Sequence, residues 1–219
     1  MLAGLQTSPV KGGYPGISEA VEVDFTPLGA YMCLGLPLHH LANDHIHPDE
    51  VLGAGWSENL TEQLIAVPGW EARWKVIENA LARRMVDAAP PSPAVAEAWS
   101  RLRACHGRLS AKELAAATGL GNRRLQVLFR EQIGLPFQSV SRVLRFQRAL
   151  TLPSDACRSL ADRATLSGYY DQAHMNREFH ALAGFTPAQL RALADPTPYG
   201  GVDSVDGRLV NFALFLRGE

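Results

Sequence analysis

The 219-residue sequence predicts a mainly α-helical protein, with a C-terminal domain of seven helices preceded by a small α+β region. Three observations predict it. After residue 92 the chain is divided by Pro, Gly and capping residues into segments whose apolar positions recur three and four apart. Within that part, a unit of two helices returns after 49 or 50 residues. Before it, residues 20–25 (Ala-Val-Glu-Val-Asp-Phe) alternate apolar with acidic side chains, as a half-buried strand does.

The elements follow in order. Thr26-Pro27 opens a helix through Leu34, and Pro48-Asp49-Glu50 starts another short one. Trp70, Trp74, Ile77, Leu81 and Met85 fall at helical spacing and predict the longest helix of the N-terminal part. Residues 88–93 (Ala-Ala-Pro-Pro-Ser-Pro) are too rich in proline to continue it, so the expected organisation is an N-terminal region 1–88, a linker 89–92, a domain 93–195 and a tail 196–219. In the domain, Ser92 and Pro93 begin a first helix, with Val95, Trp99 and Leu102 on one face and a turn at His106-Gly107. Ser110-Ala-Lys-Glu113 is a capping box for a second helix ended by Gly119. Asn122 begins a third, with Leu125, Leu128 and Phe129 inward and Gly134 at its end. Residues 136–152 read as a long fourth helix, with Val140, Val143, Leu144 and Leu150 inward and Arg142, Arg145 and Arg148 outward. Ser159 opens a fifth helix and Asp171 caps a sixth that runs to Ala183. Thr186-Pro187-Ala-Gln189 signals a short seventh.

The repeat carries most of the information. Ala115-x3-Gly119, Leu125-x3-Phe129 and Gly134 reappear as Ala164-x3-Gly168, Met175-x3-Phe179 and Gly184. Each copy is a helix with a small residue at a crossing point, a glycine turn, and a second helix with two apolar anchors. That is the pattern of a helix-turn-helix, although a plain helical hairpin repeated for packing has the same spacing.

Charge separates the two readings. The formal sum is only −1, but residues 1–92 hold five basic against eleven acidic groups, a net −6, while residues 93–195 hold fourteen basic against eight acidic, a net +6. Such asymmetry points to a polyanion site in the basic part. On the second helix of each unit, the residues left outside are Asn122, Arg123, Arg124, Gln126 and Arg130, then Asp171, Gln172, His174, Asn176, Arg177 and His180. Arg suits guanine, and Asn and Gln suit adenine, in the major groove of double-stranded DNA. Asn122, Arg130, Arg145 and His174 are candidates for holding phosphates.

These residues resemble the DNA-binding domain of AraC/XylS-type transcriptional regulators. The resemblance runs through residues 109–120, 124–130, 134–136, 144–150, 171–179 and 184–187. It implies base reading by Arg123, Gln126 and Val127 in the first unit, with Arg124 beside them, and by Gln172, Ala173, Asn176 and Arg177 in the second. Val127 stands where the family usually carries Arg, Gly121 where it carries a capping Ser, and Met175 where it carries Phe. Residues 24–30 (Asp-Phe-Thr-Pro-Leu-Gly-Ala) and Trp70-Glu-Ala-Arg73 are similar to the end of the sensor region of some such regulators. About twenty residues precede that point, too few for a barrel of ordinary strands, so the expectation is a shortened or truncated sensor. The resemblance implies DNA as partner, a small-molecule effector and RNA polymerase; the lack of a membrane-length apolar run and of a basic segment followed by an apolar stretch at the N-terminus gives the expectation of a cytoplasmic location, and no cofactor is expected.

Other chemistry has weaker signals. His39, His40, His45 and His47 cluster with Asp44, Asp49 and Glu50, but at the spacing of no defined metal site. Cys33 lies in an apolar context without an adjacent His or Lys, which reads as a packed thiol rather than the nucleophile of a thiol-dependent enzyme or repair protein. Cys33, Cys105 and Cys157 form no CxxC pair, and the chain has neither a phosphate-binding glycine loop nor a nucleophile elbow.

Overall fold

The computed structural model describes residues 1–12, 21–153, 155–189 and 209–210. The N-terminal region holds helices α1 (Pro27–Leu34), α2 (Pro48–Leu52), α3 (Trp56–Ala66) and α4 (Gly69–Met85). The remainder is α5 (Pro93–Ala104), α6 (Ala111–Thr118), α7 (Asn122–Ile133), α8 (Phe137–Thr151), α9 (Leu160–Leu166) and α10 (Gln172–Ala183). Four two-residue strands make two antiparallel ladders: β1 (Leu2–Ala3) with β3 (His45–Ile46), and β2 (Lys11–Gly12) with β4 (Leu209–Val210). Among the described residues the protein is therefore mainly helical, with only minimal sheet.

The local signals explain where the helices begin. Thr26 accepts from the Gly29 amide, and Ser110 and Glu113 complete a reciprocal capping box, so orphan donors of the first turn are satisfied. Ser159 and Asp171 cap α9 and α10 in the same way. Ser92 differs: it precedes α5 without a side-chain cap, and its amide donates instead to the buried Gln132 Oε1 at 2.9 Å, which ties the proline-rich segment to α7. The seventh predicted helix is present in its first turn at residues 187–189, where Thr186 and Gln189 form a capping box; its continuation lies outside the described residues.

One expectation is corrected, and two of the N-terminal helices add to the rest. Residues 21–26 form no strand and Val23 is exposed, since no segment among the described residues pairs with them; residue 20 lies outside the described residues. The stripe of α4 is not a buried face: Ile77 is buried, whereas Trp70, Trp74 and Met85 are exposed. Helix α3 has no counterpart in the predicted elements: its apolar positions Trp56, Leu60 and Leu64 recur four apart but are only half-buried, and none of its 11 residues is fully buried.

Two cores organise the C-terminal part. Val95, Trp99, Leu102, Leu114, Leu125, Phe129, Ile133, Phe137 and Val140 form the first, around α5, α6, α7 and the start of α8. Val143, Phe146, Ala149, Ala164, Tyr169, Met175, Phe179 and Leu182 form the second, around the end of α8, α9 and α10. Helix α8 thus contributes to both. The N-terminal region closes on the first: Leu5, Leu28 and Ala42 pack against it, and the Leu38 carbonyl lies against Gly134 at the end of α7. Arg84 holds that region together, its Nε donating to the Cys33 carbonyl at 2.8 Å and its Nη1 to the Leu52 carbonyl at 3.3 Å.

The end of α8 is closed by a buried charge. Arg163 on α9 donates through Nη1 to the carbonyls of Ala149 at 2.6 Å and Leu152 at 2.9 Å, where a helix C-terminus presents unpaired acceptors and partial negative charge. Arg163→Met is expected to destabilise the fold by about 2 kcal/mol by stranding those acceptors, measured as a lower urea midpoint with an unchanged slope.

Candidate nucleic-acid interface

Each unit turns a polar helix face outward by burying its opposite face. In the first, Leu125 and Phe129 are fully buried, and Phe129 packs on Phe137 with ring centroids 4.0 Å apart. In the second, Met175 and Phe179 take the same places, with Phe179 edge-on to Phe146 at 4.6 Å. Ala115 and Ala164 are buried where the helices cross. Gly119 (φ 69°) and Gly168 (φ 83°) occupy the left-handed region at the two turns, which an L side chain reaches only under strain.

On α7, Asn122, Arg123, Arg124, Gln126, Val127 and Arg130 are all exposed. Gly121, Asn122, Arg123, Arg124 and Val127 line a shallow open concavity at the start of this helix. A side chain at Gly121 would meet nothing, so its absence leaves room for a close approach. Gln126 donates to the Asn122 side chain at 3.1 Å, aligning both amides along one face. Arg130 sits at the far end of the helix, near His39. On α10, Ala173 and Arg177 are exposed, while Gln172, His174 and Asn176 are half-buried. Arg123, Arg124 and Arg177 make no ion pair among the described residues.

Some candidate side chains are engaged within the protein. His174 accepts from the Tyr170 amide through Nδ1 at 3.4 Å and stands edge-on to Tyr169, so its ring braces the turn before α10. The Asn176 Oδ1 is buried without a partner among the described residues. Arg142, Arg145 and Arg148, read from the sequence as outward, are half-buried. Arg142 pairs with Glu178 at 2.6 Å, joining α8 to α10, and Arg145 donates to the Gly107 carbonyl at 3.2 Å. The reason is that α8 is flanked by both units, leaving it little free face. Sequence reasoning missed Tyr170, which projects 90% exposed from the turn just before Asp171. An aromatic residue immediately ahead of a helix cap was the available signal.

The outward arginines and amides, on two helices of matching construction, are suited to a polyanion with donor and acceptor edges. The family model described as a helix-turn-helix domain matches residues 114–193, which covers both units. This segment is a DNA-binding domain of the AraC/XylS type. No curated protein and no solved structure matches the chain. The AraC/XylS-type domain supports DNA binding and transcription regulation as the general role, and no described helix is long and apolar enough to cross a membrane.

The N-terminal histidines and cysteine are committed elsewhere. His39 stacks on His40 at 4.3 Å, His45 lies in β3, and His47 caps α2 by accepting from the Asp49 amide. No group of three or more His, Cys, Asp or Glu side chains among the described residues is arranged to hold a metal. Cys33 is buried, and burial pushes its thiol up, away from thiolate, against a smaller opposing effect of Arg84.

Two histidines tie stability to pH. Burial lowers the pKa of His39, helped by His40 and Arg130 and opposed by Glu131; burial also lowers that of His106, helped by Arg148 and Arg108. Both folded-state values lie below the unfolded one, so the unfolded chain binds more protons and stability falls as pH drops below about 6.5. Melting temperature is expected to decrease between about pH 7.5 and 5.5. His106→Asn, which tolerates the positive φ of 53° at this position, is expected to reduce that decrease.

Proposed function

We propose that the protein is a sequence-specific transcriptional regulator whose two helix-turn-helix units read successive major grooves, α7 in one and α10 in the next. One observation carries the proposal: two helices held by equivalent buried anchors turn unpaired arginines to solvent. The 15 residues of α8 span ~22 Å at 1.5 Å per residue, and with the widths of the flanking helices this suits grooves ~34 Å apart.

In this reading Arg123, Arg124, Gln126 and Val127 face bases in the first half-site, and Gln172, Ala173, Asn176 and Arg177 in the second. The exposed valine at 127 suits the methyl group of thymine, where an arginine would favour guanine. Asn122, Arg130 and His174 lie on phosphates. The reading keeps 93–195 as the DNA-binding domain, 1–88 as a sensor-like region joined through 89–92, and 196–219 as a tail. Packing of Leu28 and Ala42 on the core that seats α7 offers a route by which a small-molecule effector would alter reading, and RNA polymerase is the partner whose recruitment would change.

Selection of bound sequences from random DNA by the full chain tests this. The expected outcome is a two-part motif, with affinity falling about a hundredfold or more between 50 and 200 mM salt. No enrichment at low salt would end the proposal. Arg177→Ala is expected to relax preference at one base pair, by ~1–3 kcal/mol. A uniform loss over all sequences would reassign it to a phosphate. Replacing the thymine opposite Val127 by uracil, which removes only the methyl group, is expected to weaken binding severalfold in the wild type and not in Val127→Ala.

A further inference from the structure

Besides the continuous backbone of α8, a close contact brings the two halves of the C-terminal part together. The α5–α6 turn, which leads into the first unit, shares its core and is counted with it from here on, is pressed onto α8 at Gly107: a Cβ there would lie 2.5 Å from the Ser141 carbonyl oxygen and 2.8 Å from its Cα, so only glycine fits. The α9–α10 turn of the second unit reaches the same region at Gly168. A Cβ at Gly168 would lie 3.0 Å from Arg108 Cγ, in the first unit, and 3.4 Å from Arg145 Cδ, on α8. Arg145 closes the junction. Its Nη1 donates to the Gly107 carbonyl at 3.2 Å, and its guanidinium lies 5.8 Å from the ring centroid of Tyr169, the residue after Gly168. Tyr169 is 4% exposed and its hydroxyl has no partner among the described residues, so its ring face and bulk are what it brings to the contact.

A single side chain on the connecting helix therefore touches both units, one through a backbone carbonyl and the other through an aromatic face. A helix alone fixes the distance between its ends, but each unit attached to it retains freedom to rock about its own small core. Arg145 couples the two turns and removes that freedom. We infer that Arg145 is a positioning residue, which sets the relative orientation of α7 and α10 and thereby the spacing of half-sites the protein accepts. This rests on the two-groove reading above and replaces, for Arg145, the phosphate contact expected from its sequence position.

The test uses the full chain and the two-part motif obtained by selection, with one or two base pairs inserted or removed between its halves. The wild type is expected to lose at least tenfold in affinity at each altered spacing. Arg145→Met keeps the packed stem but neither the donor nor the charge, and is expected to bind all spacings within about threefold of one another, with base preferences inside each half-site unchanged. Arg145→Lys separates charge from geometry: a lysine would restore a phosphate contact, but lacks the planar group that lies on Tyr169, so spacing tolerance is expected to persist. Should Arg145→Met melt below the assay temperature, Tyr169→Leu, which removes the ring face and keeps an apolar side chain, carries the same expectation. Unchanged spacing selectivity in the variants would overturn the inference, as would an equal loss at every spacing restored by lysine. Failure of the wild type to enrich any two-part motif would instead strike the two-groove reading itself.

Discussion

The burial of two residues on one face of α7 and two on one face of α10 is the constraint on which the rest depends. Leu125, Phe129, Met175 and Phe179 are at most 1% exposed, and each pair sits one helical turn apart. Removing that much apolar surface from water supplies the driving force, and the 3.6-residue period then decides what remains outside. Arg123, Gln126 and Arg177 face solvent because the anchors do not. The polar face is a consequence of the core, and any functional precision it has is inherited from packing.

A second layer of constraint acts between the units. Helix α8 has buried residues in both cores, so it serves as a shared wall as much as a connector. Its arginines are drawn into that role: Arg142 to Glu178, Arg145 to Gly107 and Tyr169. Long basic side chains with apolar stems can serve this way, since the stem packs while the head finds an acceptor. The positive charge of residues 93–195 is consequently divided, with part of it outward on α7 and α10 and part of it holding the junction.

The N-terminal region is attached to the same framework. Leu5, Leu28 and Ala42 cover the first core from outside, and the turn at residues 38–40 rests on the end of α7. The proline-rich segment at residues 88–93 does not leave the two parts separate, because Ser92 bonds Gln132 and α1 lies against α7. Leu28 of α1 thus covers the core that seats Phe129.

The sequence by itself determined the helices of the C-terminal part, the repeat and the anchors, because capping residues, glycine turns and apolar spacing are local codes that act within one or two turns of chain. It was also sufficient to place Asn122, Arg123, Arg124, Gln126, Arg130 and Arg177 on outward faces, since exposure follows from the same period, whereas Val127 and Ala173 came from the family resemblance. The tertiary structure decided what local codes leave open. Residues 21–26 alternate like a strand but have no ladder partner among the described residues, and Trp70 and Trp74 recur like a core face but are exposed. Arg142, Arg145, His174 and Asn176 look outward in projection and are half-buried in fact. The partners of the two arginines, Glu178 for Arg142 and Gly107 for Arg145, come from other elements up to 38 residues away, and His174 meets Tyr169 in the turn before its own helix. A helical wheel records a residue's direction from its own axis, and only the packing of neighbouring elements determines whether that direction ends in solvent or in another part of the chain.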